Sequence, residues 1–283
     1  MPLSYGVFLP PFAGLAEPKR LVALAQSAEE AGWDGFFLWD HVLAVPGMAV
    51  ADAWVMASAV AQVTDRIRLG MLVTPLARRR PWVFARQTAT LDQLSNGRLV
   101  VGVGLGDDGW QEFSSFSGEI VDPSERAVVL DASLDIVRGL WSGKELEYVG
   151  GRMEVKSREF LPMPVQQPLP VWVACRWPHK RPLARAARHQ GCFPLLDQGG
   201  WDVPVLPEPE QIETLRAELL GLGAPERIDI VCRGVSGIGP PEDLPGRFGD
   251  LEQAGMTWWL ESFGPGEPSV EEVEAAVAAG PPR

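Results

Sequence analysis

Short apolar runs rich in β-forming residues alternate along the chain with longer runs whose apolar positions recur every three or four residues. The first four β-like runs, 4–9, 36–39, 68–73 and 99–103, begin 32, 32 and 31 residues apart. That spacing suits a βα unit, which needs a strand of about 6 residues, a helix of about 12–15 and two short connections. Four more runs follow at 171–174, 192–196, 229–233 and 257–261. Eight strands alternating with helices predict an α/β fold, a single (β/α)8 TIM barrel. A doubly wound parallel sheet is the rival, and it would use fewer strands.

The runs between the strands carry helix start and stop signals. Pro18 opens the first helix, Leu21, Leu24, Ala25 and Ala28 form its apolar stripe, and Gly32 closes it. Asp52 precedes 53–63 as an N-cap, Pro81 lies in the first turn of 82–94, and Asn96-Gly97 ends that helix. Asp122, Pro123 and Glu125 read as N-cap, first-turn proline and acidic third position of a long helix reaching Trp141. The rhythm breaks over 142–170. Gly150-Gly151 between two β-like runs predicts a hairpin, and Pro162, Pro164, Pro168 and Pro170 lead back to the barrel. The chain therefore reads as one barrel domain, 1–283, with 142–170 inserted between strands four and five.

Composition narrows the function. The 283 residues are 46% hydrophobic and 22% charged, enough to bury a full core. A net charge of −12 argues against nucleic acid or an anionic membrane as a partner. The longest uncharged run, 160–175, carries four prolines, whereas a spanning helix needs about 20 apolar residues. The start, Met1-Pro2-Leu3-Ser4-Tyr5, has neither a basic segment nor an apolar stretch typical of a secretion signal, so a cytoplasmic location is expected. Cys175, Cys192 and Cys232 form no C-x-x-C pair, which fits reduced thiols and no metal centre.

In a barrel of this kind the chemistry sits where strands end and βα connections begin. Asp40-His41 follows the second strand, and histidine exchanges protons near neutral pH. Two readings stand for the pair: an acid–base site, or a helix-entry aspartate beside a packed loop histidine. Gly104-Leu105-Gly106-Asp107-Asp108-Gly109 matches G-x-G-x-x-G, but two aspartates would face a pyrophosphate and the strand is the fourth. Its glycines read instead as room for a flat ligand or a loop, with Asp107 as a candidate functional acid. Arg78-Arg79-Arg80 reads either as a seat for an anionic group or as a solvated cluster. Arg176, ahead of a helix starting near Arg181, is a second phosphate candidate. Among the 11 tryptophans, several near the expected mouth are candidates to wall an aromatic ligand.

The run from Ala31-Gly32-Trp33-Asp34-Gly35 to Trp39-Asp40-His41 resembles the bacterial luciferase-like monooxygenase superfamily. So do Thr64-Asp65-Arg66-Ile67, Val73-Thr74-Pro75, Leu91-Asp92-Gln93-Leu94-Ser95-Asn96-Gly97-Arg98, Leu140-Trp141-Ser142-Gly143 and Pro170-Val171-Trp172. The resemblance covers about residues 4–196. It implies reduced FMN, or in related members the deazaflavin coenzyme F420, bound at the C-terminal mouth of the barrel. By position it implies Asp40 and His41 beside the flavin ring, and Gly106 and Asp107 at its border. It also implies a non-proline cis peptide at Met71-Leu72, and Ala174, Cys175, Arg176 and Trp177 near the phosphate. Trp39, Thr74 and Gly104 complete the implied cofactor-binding set.

The resulting expectation is an FMNH2-using monooxygenase acting with O2 on a small organic substrate, supplied by a separate flavin reductase. The alternatives are coenzyme F420-dependent hydride transfer and a non-catalytic flavin- or ligand-binding barrel. The resemblance also implies a homodimer. The stretch 234–241 is too short for the long lid that many such proteins fold over the site.

Overall fold

Strands and helices alternate as the spacing predicts, and the strands close on themselves. The structure, a computed structural model, describes residues 2–196, 207–236, 244–265 and 268–283. The barrel strands are β1 (Ser4–Leu9), β2 (Gly35–Leu38), β3 (Arg68–Pro75), β4 (Leu99–Gly104), β7 (Val171–Trp177), β8 (Gly191–Leu196), β9 (Asp229–Gly234) and β10 (Trp258–Ser262). They run parallel in the closed order β1-β10-β9-β8-β7-β4-β3-β2, a (β/α)8 barrel. Helices α1 (Pro18–Glu30), α2 (Ala53–Val63), α3 (Pro81–Leu94), α4 (Pro123–Trp141), α5 (Lys180–Ala186), α6 (Pro209–Gly221), α7 (Leu244–Ala254) and α8 (Val270–Ala279) alternate with them. Between α4 and β7, β5 (Leu146–Gly150) and β6 (Met153–Ser157) pair as the expected antiparallel hairpin, outside the barrel sheet.

Because successive strand side chains point to opposite faces, each strand feeds two separate cores. Val7, Leu9, Phe36, Leu38, Val101 and Val103 pack outward with the helices. Phe8, Phe37, Leu72, Val100, Trp172, Phe193, Val231, Trp258 and Leu260 fill the lumen. Phe37, Trp172 and Trp258 plug its lower half, with ring centroids 5.3 to 5.8 Å apart. Gly35 makes this possible, since a Cβ there would overlap the Phe37 ring. A ligand is thereby confined to the upper, C-terminal end.

The helix starts use the predicted chemistry. Asp52 accepts the Trp54 and Val55 N–H groups at 2.9 Å, and Asp122 accepts the Glu125 N–H at 2.8 Å. Asn96 (φ 52°) and Gly97 (φ 79°) end α3 in the left-handed region. Asp52→Ala should lower the unfolding free energy by about 1 kcal/mol, visible as a lower denaturant midpoint at unchanged slope.

The non-proline cis peptide lies at Leu72-Val73, one bond later than the resemblance implied. The β3–β4 register shifts between Met71 and Thr74, so Leu72 and Val73 both pack on the lumen side. The expected short connection 234–241 falls largely outside the described residues. No helix among the described residues is long and apolar enough to cross a membrane.

Candidate active site

Three consecutive residues after β2 take three different directions. Trp39 packs onto the lumen cluster, with its ring 5.6 Å from that of Phe8. Asp40 turns outward and is buried, accepting from Trp54 Nε1 (3.0 Å), Thr74 Oγ1 (2.7 Å) and Arg79 Nη2 (2.9 Å). With both oxygens engaged by these donors, Asp40 ties β2 to β3 and α2 and faces away from the place beside the ligand ring that the resemblance implied. His41 stands above them at the rim, its side chain 25% exposed.

The connection 105–122 brings the partner of that histidine. Gly106 adopts φ 72°, which lets the chain turn tightly over Pro75 and Phe113. Phe113 is fully buried, with the Arg78 and Arg126 guanidinium carbons 5.5 and 4.1 Å from its ring centre. This anchor delivers Glu112, 2% exposed, against the end of β2. Glu112 Oε2 lies 2.6 Å from His41 Nδ1. Its Oε1 accepts from Val42 N–H (2.6 Å), Leu43 N–H (3.2 Å) and Arg78 Nη1 (2.8 Å). Burial alone would raise the Glu112 pKa, but the His41 hydrogen bond, the charges of His41 and Arg78 and the backbone donor overrule it. The carboxyl is held down to about 2 and is ionised at neutral pH.

An ionised carboxylate only accepts, so Nδ1 of His41 carries the hydrogen between them. Nε2 is then the nitrogen left to exchange a proton with a ligand. Around the imidazole stand the rings of Trp110 (4.8 Å), Phe12 (5.8 Å) and Trp39 (6.0 Å). Trp39 Nε1 is buried and has no hydrogen-bond partner among the described residues. A buried donor without an acceptor is costly, and a ligand carbonyl or ring nitrogen at the mouth would satisfy it.

The sequence-expected residues divide by face. Trp39, Leu72 and Ala174 pack on the lumen side, and Gly104 is buried against Val73 and Ala174. Arg176 is exposed at the end of β7, sharing the face of Ala174 by strand alternation. Met71 and Cys175 instead join the outer core. Thr74 donates to Asp40 behind the barrel wall, and Trp177 Nε1 donates outward to Glu218 on α6 at 2.8 Å. For these four the side-chain expectation is corrected, and any contact with a mouth ligand falls to the backbone. The cause is the two-residue period of the strands, altered in β3 by the register shift.

Two further expectations change. Asp107 is exposed and accepts the Gly109 N–H at 2.6 Å, a turn contact with no tie to His41 or Glu112. Arg78 and Arg79 form no solvated cluster: they bind Glu112, the Asp40 carbonyl and the Asp40 carboxylate, while Arg80 is exposed. Of the tryptophans, Trp39 and Trp110 line the site, whereas Trp172 and Trp258 plug the lower barrel and Trp54 backs Asp40. The cysteines are buried, with burial pushing the Cys232 thiol up to about 12. Glu112 and Phe12 were not singled out from sequence, whereas Trp110 was among the tryptophans expected to wall a ligand. The one signal was length, since an unstructured connection longer than about 12–15 residues is commonly functional.

Comparison with known proteins decides the family. The family described as luciferase-like monooxygenase matches residues 3–196. The chain belongs to this family. Among curated relatives, an F420-dependent glucose-6-phosphate dehydrogenase of Amycolatopsis mediterranei (strain U-32) is 34% identical over 164 residues, 57% of this chain and 49% of the relative. The match thus spans about half the length of the curated relatives. Among solved structures, the monooxygenase RslO1 of Streptomyces bottropensis superposes with a TM-score of 0.77 at 19% identity, over 97% of this chain and 96% of that one. An F420-dependent secondary alcohol dehydrogenase superposes with a TM-score of 0.77 at 16% identity, over 100% and 99%. At these identities the superpositions speak for a shared fold.

Proposed function

We propose that this chain is a coenzyme F420-dependent oxidoreductase that interconverts an alcohol and a carbonyl compound, with His41 as its acid–base residue. The observation that carries this is the His41 Nδ1–Glu112 Oε2 contact at 2.6 Å, which fixes the imidazole and leaves Nε2 outside that hydrogen bond. A deazaflavin, when bound, supplies the hydride acceptor or donor. Trp39 fits such a group through its unsatisfied Nε1 donor, and the aromatic rings of Phe12, Trp39 and Trp110 hold a flat ligand beside His41. His41 Nε2 accepts the hydroxyl proton as an alcohol becomes a carbonyl, and returns it in the reverse direction. Glu112 holds the ring and stabilises the imidazolium without itself gaining the proton. Coenzyme F420 dependence in the names of the curated relatives supports the choice of cofactor.

The second reading is the FMNH2-using monooxygenase with its separate reductase, favoured by the family's description. A paired titration of the purified protein with coenzyme F420 and with FMN, oxidised and reduced, separates the two. We expect coenzyme F420 to bind at least about tenfold more tightly than either form of FMN, a difference of about 1.4 kcal/mol. A preference for reduced FMN would move the assignment to the oxygen-dependent reaction.

A further inference from the structure

At the end of the barrel opposite His41 lies a cleft of about 290 Å³. It is bounded by the end of α4 (Arg138, Trp141), the segment 166–169 and the starts of β7 and β8 (Val171, Gln190). Its polar groups are unevenly used. Asp131 accepts from Arg185 at 2.6 and 2.9 Å and from Arg188 at 3.1 Å. Arg138, two turns further along α4, has no hydrogen bond or ion pair among the described residues. Asp135, on the same helix, acts instead on Tyr148 of the hairpin. Gln190 Oε1 accepts the Val171 N–H at 3.2 Å, which leaves its NH2 group to donate. The carbonyls that end α4 are already met, Gly139 O by Ser142 Oγ at 2.6 Å and Leu140 O by the Gly143 N–H at 3.1 Å. His189 precedes Gln190 and is 2% exposed. Burial first, and then Arg138, Arg188 and Arg185 against the one carboxylate of Asp131, push its pKa down to about 4. The imidazole is therefore neutral at pH 7, and the arginines give this corner of an acidic chain a positive sign.

We propose that this cleft is a second ligand site, separate from the mouth, and that it takes a small organic carboxylate. The carboxylate lies in the Arg138 fork, whose two parallel N–H groups match its plane, and accepts a third hydrogen bond from the Gln190 amide. The hydrocarbon part rests on Trp141 and Leu169. A water-sized group fills roughly 30 Å³, so the cleft suits a ligand of about ten heavy atoms. An inorganic anion would leave the apolar lining uncovered, and a neutral ligand would forgo the charge of Arg138.

The test is titration of the whole protein with sodium benzoate, followed by NMR at the Gln190 side-chain amide and the Trp141 indole. Both signals should shift saturably. Benzyl alcohol, of similar size but uncharged, should bind at least about tenfold more weakly, as should benzoate to Arg138→Ala. Arg138 is exposed, so its replacement should leave the thermal midpoint within a few degrees of the unaltered protein. Gln190→Glu keeps an acceptor for the Val171 N–H but sets a carboxylate where the ligand's would lie, and should abolish benzoate binding. The proposal is overturned if benzoate leaves the Gln190 and Trp141 signals unmoved, or if benzyl alcohol or inorganic phosphate binds there as tightly. Benzoate affinity unchanged in Arg138→Ala would overturn it equally, by placing the ligand elsewhere.

Discussion

Replacing His41 with alanine is expected to lower turnover by about 10²–10⁴-fold, the usual contribution of a positioned acid–base group. The effect should fall on kcat, with cofactor affinity changing little, because the flat-ligand contacts come from Phe12, Trp39 and Trp110. The side chain is 25% exposed and its removal opens no sealed cavity, so the thermal midpoint should move by only a few degrees. Added imidazole should restore part of the lost rate, which a purely structural role would not allow. Steady-state kinetics with coenzyme F420 and an alcohol, with and without imidazole, provide the check. Turnover unchanged in His41→Ala would remove the histidine from the chemistry and restore the non-catalytic reading of the barrel.

Glu112 is expected to give the largest loss of stability. It is buried and answers four donors: His41, Arg78 and the N–H groups of Val42 and Leu43. Glu112→Ala strands the Arg78 guanidinium, whose side chain is 8% exposed, and leaves those N–H groups without their acceptor. Breaking a buried ion pair on one side costs about 3–5 kcal/mol, or roughly 6–20 °C of thermal midpoint for a chain of this size. Turnover should fall as well, since the imidazole loses its tautomer and its orientation.

Glu112→Gln gives a sharper test through pH. The folded-state pKa is depressed to about 2, below the ordinary glutamate value in the unfolded chain. Its contribution is therefore fully present above about pH 5 and lost as pH falls towards 2. The wild-type protein should be more stable than Glu112→Gln at neutral pH, and the gap should close across that acid range. A gap independent of pH between 7 and 3 would show that the ionised form contributes nothing.

The barrel was readable in the sequence because its signals are local. Thirty-odd residues between strand starts, N-caps at Asp52 and Asp122 and the Asn96-Gly97 stop all act within one turn or one βα unit. The hairpin 146–157 followed from Gly150-Gly151 in the same way. Part of the site was equally legible. His41 stood out as one of three histidines, placed at the end of a strand where barrels keep their chemistry. Its meaning stayed open between acid–base residue and packed loop residue, since nothing in 39–43 names a partner.

Two kinds of fact were left to the tertiary structure. The first is the facing of strand residues. Both sides of a barrel strand are buried, so apolar runs such as 71–74 and 171–175 do not say which residue meets the lumen. Register decides it, and in β3 the shift at Leu72-Val73 sends Leu72 and Val73 inward while Met71 and Thr74 go out. The second is contact across distance. Glu112 lies 71 residues from His41, on a connection with no helix or strand period to place it. Gly106, the buried Phe113 and the Arg78 bridge determine where that connection lands. Sequence alone set the alternation of elements and put a histidine at the mouth, because periodicity and capping are encoded within a few residues. Only the closed barrel brought an ionised carboxylate to that histidine and matched the nearby arginines, because those pairings depend on where distant segments pack.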